Sequence, residues 1–175
     1  MVNTALRLLR HALATHWRTR LRFPASALDA IELAVARAER SHAGQIRFAI
    51  ETALHPMQIL RDVPPRARAV EVFSALHVWD TEHNNGVLIY VQLADRIVEI
   101  VADRGIGGRV SAVEWEAVCR LMEEHFRCGR FQDGAVAGVE AVGMLLSRHY
   151  PALGAAAGGP GTESDNELPD RPELL

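Results

Sequence analysis

Lysine is absent from this 175-residue chain; all 19 of its basic residues are arginine. That excludes a lysine Schiff base and the lysine of a phosphate-binding P-loop. Cysteine is scarce, with only Cys119 and Cys128. On one predicted helix these two stand ~13 Å apart, beyond disulfide reach, and read as reduced packing residues. No apolar run approaches the ~18–20 residues that span a bilayer. Arg7, Arg10, His11 and His16 interrupt any secretory apolar region at the start. These absences together predict a cytoplasmic protein. Aromatic residues make up 6% of the chain and the net charge is −3, so nucleic acid is not an expected partner. There is no GxSxG elbow, and Cys119 falls on an apolar helical face, so no catalytic nucleophile is assigned.

What is present suffices for one hydrophobic core, since 49% of the residues are apolar. Charge is segregated along the chain. Residues 1–22 hold five arginines and no acid, whereas residues 151–175 hold five acids against Arg171 alone. Three parts follow: a basic amphipathic arm (1–25), a folded domain (26–151) and an acidic tail (152–175). The tail reads as disordered from its Gly, Pro and acidic content. In the arm, Leu6, Leu9, Leu13 and Trp17 recur at helical spacing between arginines. Residues 3–22 therefore suit docking on their own domain or on an anionic membrane surface.

Within the domain, Ser26 and Asp29 suggest a capping box opening a helix to about His42, with Leu28, Ile31 and Val35 inward. Gln45–Glu51 alternates as a strand. Pro56, Pro64 and Pro65 bound a connection, and a helix from about Pro65 to His77 turns Val70 and Phe73 inward. Val87–Leu93 is apolar on nearly both faces and reads as a central strand, paired in a hairpin with Ile97–Ala102. Asp103–Val110 is a Gly-rich loop whose Gly105-Ile106-Gly107-Gly108 lacks dinucleotide-binding spacing. Ser111 and Glu114 cap a helix with Val118, Met122 and Phe126 inward. A last helix, about Asp133–Tyr150, uses Gly134, Gly138 and Gly143 to approach its neighbour. The order predicts an α/β fold, a three-layer α/β/α sandwich around a mixed sheet.

The hairpin geometry places Gly86 opposite Asp103, so the loop Asp80–Asn85 meets Asp103-Arg104-Gly105 at one end of the sheet. A helical crossover makes the first two strands parallel, which brings Gln45 to the same end. Carboxylates and amide oxygens converge there, a donor set suited to Ca²⁺ or Mg²⁺. The metal candidates are Asp80, Glu82, Asn84 and Asp103. Asn85, Gly86 and Gly105 are structural loop residues, and Arg47 and Arg104 are candidate contacts for a phosphate or a partner. His77, Asp80 and His83 have zinc-like types without a HExxH spacing.

Asn85-Gly86-Val87-Leu88-Ile89-Tyr90-Val91, Ala102-Asp103-Arg104-Gly105-Ile106 and Phe131-Gln132-Asp133-Gly134 with Gly138-Val139 occur in that order. With Gly44-Gln45-Ile46-Arg47 and His149-Tyr150-Pro151, the pattern over residues 26–151 resembles the TPM domain family, in particular its stand-alone bacterial members. That family takes its name from thylakoid-lumen, photosystem II repair and acetylcholine-receptor accessory proteins. The resemblance implies an α/β/α sandwich with a divalent-cation site, commonly calcium, at the loop cluster. Plant relatives are associated with acid phosphatase activity, and many bacterial relatives are secreted or membrane-anchored. Gln45 stands where glutamate is frequent and Asn84 where aspartate is, so the implied site here is a weak one. The expected function is a non-enzymatic, calcium-binding accessory module acting on a protein partner, cytoplasmic or peripheral on the inner membrane. The alternative is a metal-dependent acid phosphatase, with Arg47 or Arg104 on the phosphate.

Overall fold

The computed structural model describes residues 4–151 and 166–175. The first half contains α1 (Thr4–Ala12), α2 (His16–Arg22), α3 (Ala25–Ala38), β1 (Gln45–Glu51), α4 (Pro56–Leu60) and α5 (Pro65–Ala75). The second contains β2 (Gly86–Gln92), β3 (Ile97–Ala102), α6 (Arg104–Gly107), α7 (Ala112–Arg127), α8 (Phe131–His149) and β4 (Glu173–Leu174).

Every residue of β1 and β2 is buried, as expected of strands covered on both faces. The two run parallel, with Gln45 beside Gly86, and β3 pairs antiparallel to β2, with Val87 beside Ala102. On one face Ile46, Phe48, Ile50, Val87, Ile89 and Val91 pack beneath α3, α7 and α8. On the other, Ala49, Leu88, Tyr90 and Val101 pack beneath Ala69, Val72 and Phe73 of α5. Helices thus cover both sides of a mixed sheet, giving the three-layer α/β/α sandwich. The α7–α8 pair is close because Gly138 lies against Met122; an added Cβ would stand 2.3 Å from the Met122 sulfur. Ser111 and Glu114 form the expected capping box of α7.

Several expectations need correction. The sheet has four strands, ordered β3-β2-β1-β4. The fourth comes from the tail read as disordered: residues 166–175 lie along the β1 edge, with Leu168 buried. The tail's composition hid this, because its prolines, glycines and acids outweigh the scattered leucines Leu168, Leu174 and Leu175 in any pattern. Residues 152–165 lie outside the described residues. Ser26 does not cap α3, which begins at Ala25 after Pro24; Asp29 instead accepts a hydrogen bond from Arg171. Val70 faces outward, while Ala69 and Val72 take the inward positions of α5. The Gly-rich loop contains one helical turn, α6. Cys128 is exposed at the end of α7 rather than packed, while burial pushes the half-buried Cys119 thiol up to about 12.

The arm is two helices, and it is fastened to the domain. Arg7 and Arg10 both donate to the carboxylate of Asp95 in the β2–β3 turn, whose side chain is only 4% exposed. His11 Nε2 lies 3.1 Å from Asp95 Oδ2, off the line of a hydrogen bond. Its Nδ1 accepts the Leu54 amide at 2.9 Å, which fixes the neutral tautomer with the proton on Nε2. Among the described residues, no helix is long and apolar enough to cross a membrane.

Candidate functional site

The register of the three long strands decides which loops meet. Because Gln45, Gly86 and Asp103 end up side by side, the segments preceding β1 and β2 and following β3 are laced together by main-chain bonds. Gln45 donates its amide to Asn85 O at 3.0 Å, Asp103 to Gly86 O at 2.9 Å, and Gly105 to Asn84 O at 3.0 Å. The packing leaves no room for side chains. A Cβ on Gly86 would stand 2.0 Å from the Val78 carbonyl oxygen, and one on Gly105 would stand 2.5 Å from that of Asn84.

Two side chains on these laced segments each keep a buried oxygen without a partner. Asn85 is 2% exposed; its backbone amide donates to Thr81 Oγ1 at 3.0 Å, and its Nδ2 donates to the Ala43 carbonyl. That second bond fixes the orientation of the side-chain amide and leaves Oδ1 buried with no partner. Asp103 caps α6, its Oδ1 accepting from the Arg104 amide at 2.7 Å, while Oδ2 is likewise buried and unpartnered. A carbonyl and a carboxylate oxygen accept but do not donate, so neither can satisfy the other. Each calls for a donor or a cation.

The remaining sequence candidates lie elsewhere. Asp80 and Glu82 are exposed at the loop surface, and the Glu82 amide donates to the Glu167 carboxylate at 2.8 Å. Asn84, held at φ +51, uses its Oδ1 to accept from Arg104 Nε at 2.9 Å. The Asn84 oxygen is thereby occupied, and Arg104 is pinned beside Asp103. Arg47 does not face a ligand: its guanidinium donates to Pro169 O, Arg171 O and the Glu173 carboxylate, each at 2.7 Å. Gln45 Oε1 accepts from the Glu167 and Leu168 amides. His77 lies against Trp79, ring centroids 5.9 Å apart, and His83 is exposed. Among the described residues no three His, Cys, Asp or Glu side chains are grouped closely enough to share a metal ion. A cation at this end would therefore rest on one carboxylate together with amide oxygens.

Asn85 was legible only as a loop residue. Nothing in the sequence distinguishes an amide that satisfies a turn from one whose oxygen is left free. A second polar cluster was also missed. At the far end of β1 the buried Glu51 carboxylate takes three bonds from Arg68, two of them shared by its Nε, and one from the Tyr90 hydroxyl. Burial, reinforced by Glu51, raises the Tyr90 phenol well above its usual range. This cluster is internally paired and holds α5 to the sheet.

A family model described as the TPM domain matches residues 23–145. The BA42 protein of the psychrophilic bacterium Bizionia argentinensis, solved by NMR, is similar at 30% identity with a TM-score of 0.71. That likeness covers 87% of this chain and 95% of BA42. The N-terminal domain of a protein from P. gingivalis shares the fold at 22% identity and a TM-score of 0.53, covering 73% of this chain and 81% of that one. No curated protein matches.

Proposed function

The chain belongs to the TPM domain family, and from that premise we propose that it is a divalent-cation-binding accessory module whose site is built on Asp103 and Asn85. One observation carries the reading: Asp103 Oδ2 and Asn85 Oδ1 are each buried without a partner, on segments that the main-chain bonds of this sheet end lace together. Both are hard oxygen donors, which favours calcium or magnesium over zinc or copper. The fit differs from the ligand set Asp80, Glu82, Asn84 and Asp103 suggested by the sequence. It keeps Asp103, recruits Asn85 and leaves Asp80 and Glu82 at the exposed rim. With one carboxylate the site is weak, Kd about 10⁻⁴–10⁻³ M by comparison with low-charge calcium sites. When bound, the cation would supply charge at a loop end otherwise held together by main-chain bonds. Phosphatase chemistry is the second reading, favoured by the exposed Arg104 fixed beside Asp103.

A calcium titration followed by amide NMR tests this. Saturating shifts are expected in residues 80–86 and 103–107, with at least about tenfold weaker binding in Asp103→Asn. That substitution keeps an oxygen for the α6 cap and removes the charge. Absence of shifts at about 10 mM calcium, above the weak limit of such sites, overturns the reading. Hydrolysis of p-nitrophenyl phosphate in the same samples, lost in Asp103→Asn, would establish the phosphatase reading.

The arm supports a place for the module at an anionic bilayer. Leu6, Leu9, Leu13, Trp17 and Leu21 are each more than half exposed, on a segment without an acidic residue. Arg7 is turned inward to Asp95, but Arg18 and Arg20 are exposed beside Trp17 and Leu21. Exposed leucines and a tryptophan flanked by arginines match the headgroup–acyl boundary of anionic lipid. Flotation with phosphatidylglycerol vesicles is expected to recover the protein, weakly at high salt and not with neutral vesicles. Leu13→Ser with Trp17→Ser should reduce recovery at least about tenfold, since each buried side chain contributes ~1.5–3 kcal/mol. Equal binding to neutral vesicles, or no effect of the substitutions, counts against it.

A further inference from the structure

The edge of β1 that the C-terminal segment covers is equipped to read a peptide. Gln45 and Arg47 are 1% and 6% exposed, on the strand face opposite Ile46 and Phe48. Their polar atoms are directed at the C-terminal segment and chiefly at its main chain. Gln45 accepts two of its amides, while Arg47 donates to two of its carbonyls and to Glu173. Beyond them the ladder continues, with Ala49 paired to Glu173 and Ile50 to Leu174. Leu175 donates to Ile50 O at 2.9 Å, and the Thr52 amide donates to Leu175 O at 3.1 Å. Leu168 fills an apolar seat formed with Ala49, Ala69, Phe73, Leu88 and Tyr90.

The ligand segment is also distinct from the domain it sits on. It lies beyond residue 145, where the family match ends, and is joined through residues 152–165, which are rich in alanine and glycine. Pro169 and Pro172 hold its backbone near the extended conformation, which lowers the entropy cost of docking. Strand addition to a free edge, with main-chain bonds for affinity and a side-chain seat for specificity, is a recurring mode of peptide recognition.

We propose that this edge is a peptide-binding groove, filled in cis by residues 166–175 and able to take the same segment from a second copy of the chain in trans. Its ligand is an extended segment with a leucine for the Leu168 seat and an acid five positions later for Arg47. A partner copy supplies both features by construction, and an intact groove then exchanges one tail for another without altering the domain.

The test keeps the full chain. Leu168→Asp with Glu173→Lys displaces the chain's own tail and leaves the groove unchanged. A fluorescent synthetic peptide of residues 166–175 is then titrated by polarization. The peptide is expected to bind this chain at least about tenfold more tightly than the unmodified one, whose tethered tail competes at ~mM effective concentration. Adding Arg47→Met should abolish that binding. Equal binding to both chains, or binding indifferent to Arg47→Met, overturns the proposal. Should the displaced chain fail to fold, hydrogen exchange on the unmodified protein decides. Amides of Glu167, Leu168 and Leu175 exchanging well before those of β2 support a separable ligand. Exchange of all of them only together with β2 makes the tail an integral strand and overturns it.

Discussion

Gly86→Ala is expected to cost about 3 kcal/mol, the upper end of what overpacking a buried site usually costs. The added methyl would sit 2.0 Å from the Val78 carbonyl oxygen and 2.9 Å from Val78 Cγ1, and a main-chain atom cannot swing aside as a side-chain end can. Gly86 is the first residue of β2, pairs with Gln45 and accepts from the Asp103 amide. Pushing Val78 away therefore strains the segment that carries Asn85. Urea unfolding should show a clear drop in midpoint, and calcium binding should weaken with it. Gly108→Ala is the matched control. That residue already has right-handed helical torsions and nothing within 4 Å of its added Cβ. Its effect should stay within about 0.5 kcal/mol.

Asp95→Ala is expected to be comparably damaging, about 3 kcal/mol, because it strands the Arg7 guanidinium and leaves the neutral His11 ring without the carboxylate they are packed against. Arg7 is only 13% exposed and the His11 side chain 2%. Removing one partner of a buried pair leaves the other desolvated and unpaired, which is why breaking such pairs costs more than their net contribution. The arm should come loose, and trypsin should then cut at Arg18 or Arg20 in the folded protein. Asp62→Ala, which removes a 93% exposed partner of the same Arg7, should cost under about 1 kcal/mol. Deleting the arm outright would likewise leave Asp95 buried without its counter-charges, so point substitutions are the sounder test of the bilayer reading.

Acid should weaken the same contact. Burial, then Arg7 and Arg10, pulls His11 down to about 4, and burial does the same to His42. A histidine whose folded pKa lies below its unfolded value of ~6.5 takes up its proton more readily in the unfolded chain. Stability is therefore fully present above about pH 6.5 and is lost as pH falls toward 4. Urea midpoints of the unmodified protein measured across that window should decline steadily.

The sheet was legible because its signals are local. The near-continuous apolar run Val87–Leu93 and the short gap before Ile97 fix a hairpin, and one helical crossover fixes β1 parallel to β2. From those three facts the meeting of Asn85, Asp103 and Gln45 follows by counting. The side-chain assignments within that meeting did not follow. Asp80, Asn84 and Asp103 look alike as loop acceptors. Only the folded chain assigns Asn84 to Arg104 and leaves Asp103 Oδ2 free. The role of Arg47 was hidden for a different reason. Alternation along β1 sets Arg47 on the face opposite Ile46 and Phe48, where it reads as a contact for a phosphate or a partner; the segment that covers it lies more than 120 positions away, in a stretch whose composition suggests no structure. Asp95 reads as a turn residue, and its partners in the arm are about 85 positions distant.

A crystal of the full chain soaked in manganese tests the cation site most directly. An anomalous peak within ~2.0–2.6 Å of both Asp103 Oδ2 and Asn85 Oδ1 is the predicted result. Ordered water donating to both oxygens at ~2.8 Å, with no anomalous signal there, would contradict it.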